Sequence, residues 1–289
     1  MIMTDTLYVI GAGAAGSSLA HSLQQKGHNL IGVMDRDAGR ADTAGERLGV
    51  PATTRFHDAI KEADIVIVSV SDQAIETVAE TVASHDMAAR HQVWLHLSGA
   101  LTPLVLKPLG PLTRGIGAFH PAHVFPPGRI TPISPGTRFG VAGNKAAVHT
   151  TQKLAAILGC DVVVVHDTIR PRYHAATVLA SNAVVALIAE AVGILENAGI
   201  SSEDAEALLL SLSNSAVENS RRIGLKGGLT GPIQRGDINM VKRHLDALRD
   251  TPHATALYQS LGKSIVRLAK AGDGSQADTL DTILAMLSR

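Results

Sequence analysis

The chain has 289 residues, of which 26 are basic and 26 acidic, so it carries no formal net charge. This length suffices for one large domain or for two ordinary ones, each with its own core. Because no global field attracts nucleic acid or an anionic membrane, we expect a small-molecule partner, no nucleic acid and no membrane. The single cysteine, Cys160, excludes an internal disulfide framework and precedes an apolar run, which indicates a buried small hydrophobe rather than a nucleophile.

Residues 1–166 predict an α/β domain with a doubly wound, mostly parallel sheet. Short apolar runs alternate with helical patterns, and continuous apolar strands are typical of parallel sheets covered on both faces. The last run is expected at the far edge of the sheet. The predicted strands cover residues 7–10, 29–34, 64–70, 93–97, 139–142 and 161–165.

The stretch from residue 99 to residue 138 is rich in proline and glycine. It shows neither helical spacing nor a strand pattern, so it predicts a long loop. Loops of this length inside a compact domain are more often functional than idle, which makes the stretch a candidate part of the site.

Residues 167–289 predict an all-α C-terminal domain, because every apolar segment after residue 166 has helical spacing. We expect this domain to bind substrate and to form a dimer interface. The longest predicted helix is apolar around most of its circumference and needs partners on nearly all sides, which predicts a homodimer. The predicted helices cover residues 173–198, 202–222, 237–249, 252–271 and 277–287.

Two features bear on location in the cell. The N-terminus has neither the basic start nor the small-residue cleavage site of a signal peptide, which predicts a cytoplasmic protein. The segment 173–195 approaches the length that spans a membrane. Its alanine, serine, threonine and asparagine content favours a buried helix of a soluble protein instead.

Three glycines after the first predicted strand, Gly11, Gly13 and Gly16, have the spacing of a dinucleotide-binding turn. The first permits the turn, the second lets the backbone approach a pyrophosphate, and the third lets the helix pack on the strand. The pyrophosphate would lie on free N–H groups at the helix start, beside Ala14 and Ala15. The turn follows a strand at the N-terminus and opens a helix, which makes a cofactor site more plausible than a structural turn.

The second predicted strand ends at Asp35, the acidic residue expected about 20 positions after the glycines. Asp35 would bind an adenosine ribose and repel a 2′-phosphate, which favours NAD. Arg36 and Arg40 favour NADP, because an arginine there can stack on adenine and pair with a 2′-phosphate. The cofactor is therefore NADP or NAD. Ser71 and Ser98, at the ends of the next strands, are further candidate cofactor contacts, with helix capping as the alternative.

Several segments resemble the Rossmann-like proteins that carry the C-terminal domain of unknown function 2520. These proteins are related to ketopantoate reductase, pyrroline-carboxylate reductase and the β-hydroxyacid dehydrogenases. The resemblance implies hydride transfer between a nicotinamide and a small carbonyl or imine compound, a helical C-terminal domain and a dimer. The matching segments are 11–16, 96–100, 119–121, 173–176 with Asn182, and 231–237.

The chain departs from one pattern of these relatives. Many β-hydroxyacid dehydrogenases have a lysine four residues before an asparagine on the first helix of the helical domain, where it acts as a proton donor or acceptor. If Asn182 is that asparagine, the corresponding position is Val178. The resemblance therefore does not supply the proton donor.

Reduction of a carbonyl needs a group that gives a proton to the developing alkoxide. We expect His174 to be that group, because imidazole titrates near neutral pH and the surrounding helix is apolar; a hydrogen-bonded core histidine is the alternative. Asn182 and His120 are further candidate catalytic residues. His123 and Arg235 are candidate substrate contacts, since an arginine fork matches a carboxylate.

His120 and His123 could also suggest zinc. No Cys, Asp or Glu occurs between His96 and His149, so we expect no metal. A dinucleotide-binding sensor or scaffold without turnover is the alternative from another functional class. Reduction of a deazaflavin by NADPH is a further possibility among enzymes, although the sequence shows no dedicated pocket for it.

Overall fold

A computed structural model of the chain describes residues 5–271 and 277–289. Contacts within the chain divide it into two compact units, Met1–Ala180 and Ser181–Arg289. The helix Arg170–Ala180 thus belongs to the first unit, whereas the sequence placed its residues in the second domain. The predicted domains, 1–166 and 167–289, stay a prediction about where the chain could be separated.

The first unit contains one sheet. Among the described residues its strand order is β3-β2-β1-β4-β5-β6-β7-β8, and every neighbouring pair is parallel except the antiparallel β6 and β7. This confirms the predicted α/β fold class, and β8 lies at the edge as expected. The strands are β1 Thr6–Ile10, β2 Asn29–Met34, β3 Ala52–Thr53, β4 Ile65–Val68, β5 Val93–His96, β6 Gly115–Pro121, β7 Arg138–Gly143 and β8 Asp161–Val164.

The central strands are apolar throughout because both of their faces are covered. Along β1, Leu7 and Val9 pack into one core cluster and Tyr8 and Ile10 into another. Successive side chains of a strand point to opposite faces, so these two clusters are the cores above and below the sheet. The helices of this unit are α1 Ala14–Gln24, α2 Ala38–Leu48, α3 Asp72–Ser84, α4 Lys145–Ile157 and α5 Arg170–Ala180.

The predicted loop over residues 99–138 was wrong in part. It contains a 3-10 segment, Pro103–Leu112, and the strand β6. The two glycines of β6 weaken its local strand signal. Packing requires the second of them, since a Cβ at Gly117 would lie 2.8 Å from the carbonyl oxygen of Ala142. His120 consequently lies on a strand rather than in a loop.

The second unit is helical, which confirms the predicted all-α C-terminal region. Its core consists of Ile233 and of residues from the last three helices. The helices are α6 Asn182–Asn197, α7 Ser202–Gly228, α8 Ile238–Leu248, α9 Pro252–Lys270 and α10 Ala277–Met286. The predicted helix 202–222 is thus extended to Gly228, with a kink at Gly224 (φ 79°).

The single helix predicted over residues 173–198 was wrong. The chain forms α5 and α6, which are separated by Ser181 with φ −128° and ψ −80°. The Ser181 hydroxyl donates to Oδ1 of Asn182 at 3.1 Å, and side-chain hydrogen bonds of this kind compete with helical ones. Helical spacing therefore does not relate His174 to Asn182.

One helical stretch, Asp167–Asn197, is long and apolar enough to cross a membrane by length and composition alone. The mean hydropathy of its most apolar window is 2.1, and none of that window is buried within the chain. Because core and interface helices of soluble proteins pass the same test, this finding by itself is weak evidence for a membrane.

Candidate functional site

The turn after β1 requires two of its three glycines for packing. Gly11 has φ +100°, and a Cβ there would lie 2.3 Å from the carbonyl oxygen of Ser69 on the neighbouring strand connection. A Cβ at Gly16 would lie 2.6 Å from the carbonyl oxygen of Gly11. Both positions are therefore closed to any larger residue, as the predicted turn demands.

Gly13 has a different reason to be glycine. A Cβ there would meet nothing within 4 Å, so the protein itself does not use this space. Gly13 is the N-cap of α1 and supplies no side-chain hydrogen bond. Ala14 and Ala15 follow in the first helical turn and are half-buried. This combination of open space and free backbone N–H groups fits a bound pyrophosphate.

Asp35 is buried and bound within the protein. Its carboxylate accepts hydrogen bonds from the backbone N–H groups of Ala12 and Asp37, both at 2.9 Å, and from Arg40 at 3.0 Å. Burial alone would raise the pKa of Asp35, but these hydrogen bonds outweigh it and lower the pKa below its usual value. Asp35 thus ties the glycine turn to Arg40, a structural role that the sequence did not indicate.

A cavity of about 440 Å³ opens beside this turn. It extends from Gly13 to three arginines, Arg40, Arg47 and Arg129. Arg36, which the sequence proposed for this role, is exposed and is not among the lining residues. Arg47 lies two helical turns after Arg40 on α2, a spacing that could have been noticed in the sequence.

Arg129 belongs to a segment, 126–133, that packs along α1. The backbone N–H of Thr131 donates to the Ser18 hydroxyl, and that of Ile133 donates to the Ser22 hydroxyl, each at 2.9 Å. Arg47 donates to the carbonyl oxygen of Gly128 at 3.0 Å. Sequence could not find Arg129, because only these long-range contacts bring it to the cavity.

Ser71 and Ser98 occupy positions that suit capping. Ser71 is the exposed N-cap residue of α3. The Ser98 hydroxyl donates to Asp72 at 2.9 Å and accepts from the backbone N–H groups of Ala100 and Leu101. Ser98 therefore organises the turn after β5, and a cofactor contact by either serine stays a prediction.

Two histidines meet beside Gly99, at the same edge of the sheet as the glycine turn. His120 lies near the end of β6 and His174 on α5, with ring centroids 6.1 Å apart. A Cβ at Gly99 would lie 2.8 Å from both His120 Nε2 and His174 Nδ1. The missing side chain of Gly99 is thus what lets two imidazole nitrogens approach one position. Tyr173 contacts the other nitrogen of His120.

Arg170 is a charged residue beneath this pair that sequence reasoning missed. Its side chain is completely buried, and its contacts with the carbonyl oxygens of Ser98 and Gly99 are long, at 3.4 and 3.5 Å. Nε lies 3.8 Å from Asp167, and neither Nε nor Nη2 has a hydrogen-bond partner among the described residues. A buried arginine with so few partners produces a strong positive potential in its surroundings.

Burial keeps two neighbouring histidines neutral, and the charge of Arg170 contributes. Burial lowers the pKa of His96 to about 4, and the charge of Arg170 adds to this effect. Burial also lowers the pKa of His120 to about 4, with further contributions from His174 and Arg170 that outweigh the opposite effect of Asp72. Both imidazoles are therefore uncharged at neutral pH.

The remaining predicted site residues lie apart from this cluster or in the second unit. His123 follows β6 and packs edge-on against Phe125, with ring centroids 4.9 Å apart. Asn182 is the exposed first residue of α6, and Arg235 is exposed in the turn before α8. Asp237 caps α8 by accepting from the Met240 N–H. Roles for His123, Asn182 and Arg235 stay predictions.

Cys160 is buried, and burial raises the pKa of its thiol, which agrees with a structural role. Within residues 5–271 and 277–289, no group of three or more His, Cys, Asp and Glu side chains is arranged to hold a metal ion.

Comparisons with known proteins agree with this architecture. Residues 6–93 match the family described as NADP oxidoreductase, coenzyme F420-dependent, and residues 137–265 match the domain of unknown function DUF2520. No curated protein sequence matches the chain.

Solved structures share the fold over nearly the whole chain. A protein of Bacteroides fragilis described as an NADP oxidoreductase is 22% identical, with a TM-score of 0.72 over 92% of this chain and 99% of that one. Protein TM1727 of Thermotoga maritima is 25% identical, with a TM-score of 0.69 over 92% and 98%. A pyrroline-5-carboxylate reductase of Coxiella burnetii is 18% identical, with a TM-score of 0.62 over 99% of both chains. The N-terminal part of the chain is thus similar to NADP oxidoreductases and its C-terminal part to DUF2520 domains, the combination that its sequence motifs indicated.

Proposed function

We propose that the protein reduces a small carbonyl or imine compound with NADPH beside Gly99. The observation that carries this proposal is that the glycine turn and the pair His120 and His174 lie at one edge of the sheet. Ligands of open α/β sheets bind at the carboxyl ends of the strands, so a cofactor bound at the turn would extend toward these histidines.

NADP is the better fit to the adenosine end of the cavity. Arg40, Arg47 and Arg129 line it, and guanidinium groups pair well with a 2′-phosphate. Asp35, the residue that would have favoured NAD, is occupied by two backbone N–H groups and Arg40. The charge that would repel a 2′-phosphate is thus paired inside the protein.

The cofactor, when bound, supplies the hydride that adds to the carbonyl or imine carbon. The substrate oxygen or nitrogen must then receive a proton or a strong hydrogen bond. His174, the donor expected from the sequence, and His120 both present a ring nitrogen beside Gly99. These two histidines are therefore the candidate catalytic residues, with Asn182 retained from the sequence resemblance.

The substrate class is a small carbonyl or imine compound, for which a 2-oxo acid of the ketopantoate type is one candidate. The name of the Coxiella neighbour indicates a cyclic imine that carries a carboxylate. Arg235 is our candidate for binding such a carboxylate, and His123 is a separate candidate substrate contact. The match to the family named for coenzyme F420 ends at residue 93, so it covers the cofactor-binding part and does not reach the histidine pair.

We also propose a cytoplasmic homodimer formed through α6 and α7. No residue of α6 is buried within the chain, and on α7 only Ala205 is. Val185, Leu212 and Leu225 are 62 to 71% exposed. Two long helices with this much exposed apolar surface are unusual on a monomer, and a second copy would cover it. Sedimentation that shows only monomer at micromolar concentration would contradict this assembly.

Two measurements test the proposed function together. Thermal shift should show stabilisation by NADPH, because a ligand that binds only the folded state raises its stability. The absorbance at 340 nm should then fall when 2-oxo acids or cyclic imines are added with NADPH. Stabilisation by NADPH without any absorbance change across both substrate classes would favour the alternative, a dinucleotide-binding sensor.

A further inference from the structure

Tyr173 forms a close contact with His120 behind the histidine pair. Its hydroxyl lies 2.8 Å from His120 Nδ1, and the two rings are nearly perpendicular, with centroids 5.6 Å apart. The hydroxyl packs against β7, where a Cβ at Gly140 would lie 2.3 Å from it. The glycine at position 140 therefore makes room for Tyr173.

The direction of this hydrogen bond follows from counting protons. A phenol carries one proton, and burial raises the pKa of Tyr173, so the hydroxyl keeps that proton at neutral pH. His120 Nδ1 is its hydrogen-bond partner among the described residues. If Nδ1 carried a proton and donated, the phenolic proton would have no acceptor among the described residues. We therefore assign Tyr173 as the donor and Nδ1 as the acceptor.

This direction fixes the tautomer of a neutral His120. Since Nδ1 is the acceptor, the ring proton is on Nε2. Nε2 is the nitrogen that faces Gly99, opposite His174 Nδ1. His174 Nδ1 is itself buried without a hydrogen-bond partner among the described residues. Gly99 is thus flanked by the assigned N–H donor of His120 and by a ring nitrogen of His174 that has no hydrogen-bond partner among the described residues.

Burial, and after it the charges around His120, keep it in this neutral form. Arg170 and His174 disfavour a second proton on the ring, and Asp72, an exposed residue at the start of α3, is the acidic group that opposes them. Asp167 is paired with Arg170 at 3.8 Å. The titratable and charged groups around this position are Asp72, His96, Asp167, Arg170, Tyr173 and His174.

We propose that Tyr173 is a positioning residue, which fixes His120 as a neutral Nε2–H donor directed at the reacting oxygen or nitrogen of the substrate beside Gly99. This inference rests on the proposed function. A neutral donor stabilises the negative charge that develops on a carbonyl oxygen without carrying charge in the resting site. Arg170 supports it by disfavouring protonation of His120.

The second unit offers a matched control for this pair. Tyr258 and His244 have the same arrangement, with the hydroxyl 2.9 Å from Nδ1, centroids 5.6 Å apart and rings nearly perpendicular. Tyr258→Phe removes the same kind of hydrogen bond from a histidine that the proposed reaction does not use. It should therefore affect His244 and leave both His120 and turnover unchanged.

The decisive experiment is ¹⁵N NMR of the histidine rings in the full-length protein at pH 7, with His120→Gln used to assign the signal. We expect wild-type His120 to show a protonated Nε2 and an unprotonated Nδ1. Tyr173→Phe should produce a mixture of tautomers, whereas Tyr258→Phe should not alter this signal. A protonated Nδ1 in the wild type, or an unchanged tautomer in Tyr173→Phe, would overturn the proposal.

A kinetic measurement then tests the link to reduction, with NADPH and pyruvate as the probe 2-oxo acid. Tyr173→Phe should lower kcat by about tenfold, the effect of losing one orienting hydrogen bond, while the Kd of NADPH stays constant. An unchanged kcat in Tyr173→Phe would overturn the positioning role. The spectra need no substrate, so a wild-type protein that oxidises NADPH with neither 2-oxo acids nor cyclic imines would contradict the proposed function and not the tautomer of His120.

Discussion

The buried His96 provides a quantitative test of the electrostatics beneath the candidate site. His96 is fully buried at the end of β5, its Nε2 lies 3.2 Å from the carbonyl oxygen of Thr102, and its Nδ1 has no hydrogen-bond partner among the described residues. We expect His96→Gln, which retains an amide donor but cannot titrate, to make the protein less sensitive to acid.

The magnitude follows from the shift in pKa. In the folded protein burial, with Arg170 nearby, lowers the pKa of His96 from 6.5 to about 4, so between these values the unfolded chain binds the proton and the folded protein does not. The stability that the neutral His96 contributes is therefore fully present above pH 6.5 and is lost as the pH falls toward 4. A pH of 5 is about 1.5 units below the pKa of this histidine in the unfolded chain. At roughly 1.4 kcal/mol per unit, the loss is about 2 kcal/mol relative to pH 7.

Urea unfolding at pH 7 and pH 5 measures this loss, and the single tryptophan, Trp94, is a buried fluorescence reporter on the same strand. We expect the free energy of unfolding to fall by about 2 kcal/mol more in the wild type than in His96→Gln. Replacement of the exposed His91 by Gln is the matched control and should leave the wild-type loss intact. A difference between wild type and His96→Gln below about 0.5 kcal/mol would refute the reasoning.

Four further outcomes test the cofactor site and the histidine pair. Gly13→Val should abolish NADPH binding in calorimetry with little change in Tm. A side chain there meets no protein atom within 4 Å of its Cβ but would fill the space of the pyrophosphate. An unchanged affinity for NADPH would exclude this turn as the cofactor site. Arg129→Ala should weaken NADPH binding by ~10- to 100-fold and leave NADH binding nearly constant, since it removes a charged hydrogen bond to the 2′-phosphate. An equal loss of affinity for both cofactors would place that phosphate elsewhere. Gly99→Ala should abolish NADPH oxidation and retain NADPH binding, because its methyl group would lie 2.8 Å from both imidazole nitrogens. Gly110→Ala is the control and should remain active, because its methyl group would lie no closer than 3.8 Å to a neighbouring atom. His174→Ala should lower turnover by ~10²- to 10⁴-fold with the Kd of NADPH unchanged; a lower Tm with normal turnover would identify His174 as a structural residue.

The sequence by itself determined the fold class and the cofactor turn, because both depend on local signals. Apolar strands that alternate with helical patterns specify a parallel sheet wherever they occur along a chain. The spacing of Gly11, Gly13 and Gly16 is likewise a local property, since the turn and the start of α1 are adjacent in sequence. The structure retained these features and moved the bounds of most elements by only a few residues.

Strand β6 and the break at Ser181 depended on the tertiary structure. The glycines of β6 weaken its strand signal, and the strand forms because β5 and β7 pair with it on both sides. The break at Ser181 was equally hidden, because the helical spacing of apolar residues continues across it.

Only the tertiary structure assembled the candidate site. Asp35 looked like a ribose ligand because of its distance from the glycines, but a backbone N–H of the turn, Arg40 and the Asp37 N–H occupy its carboxylate. The site beside Gly99 combines residues from the turn after β5, from β6 and from α5, and His120 is 53 positions from its partner Tyr173 in the sequence. The protonation state of His120 depends on burial and on the charge of Arg170, which are properties of the packed interior and not of sequence spacing.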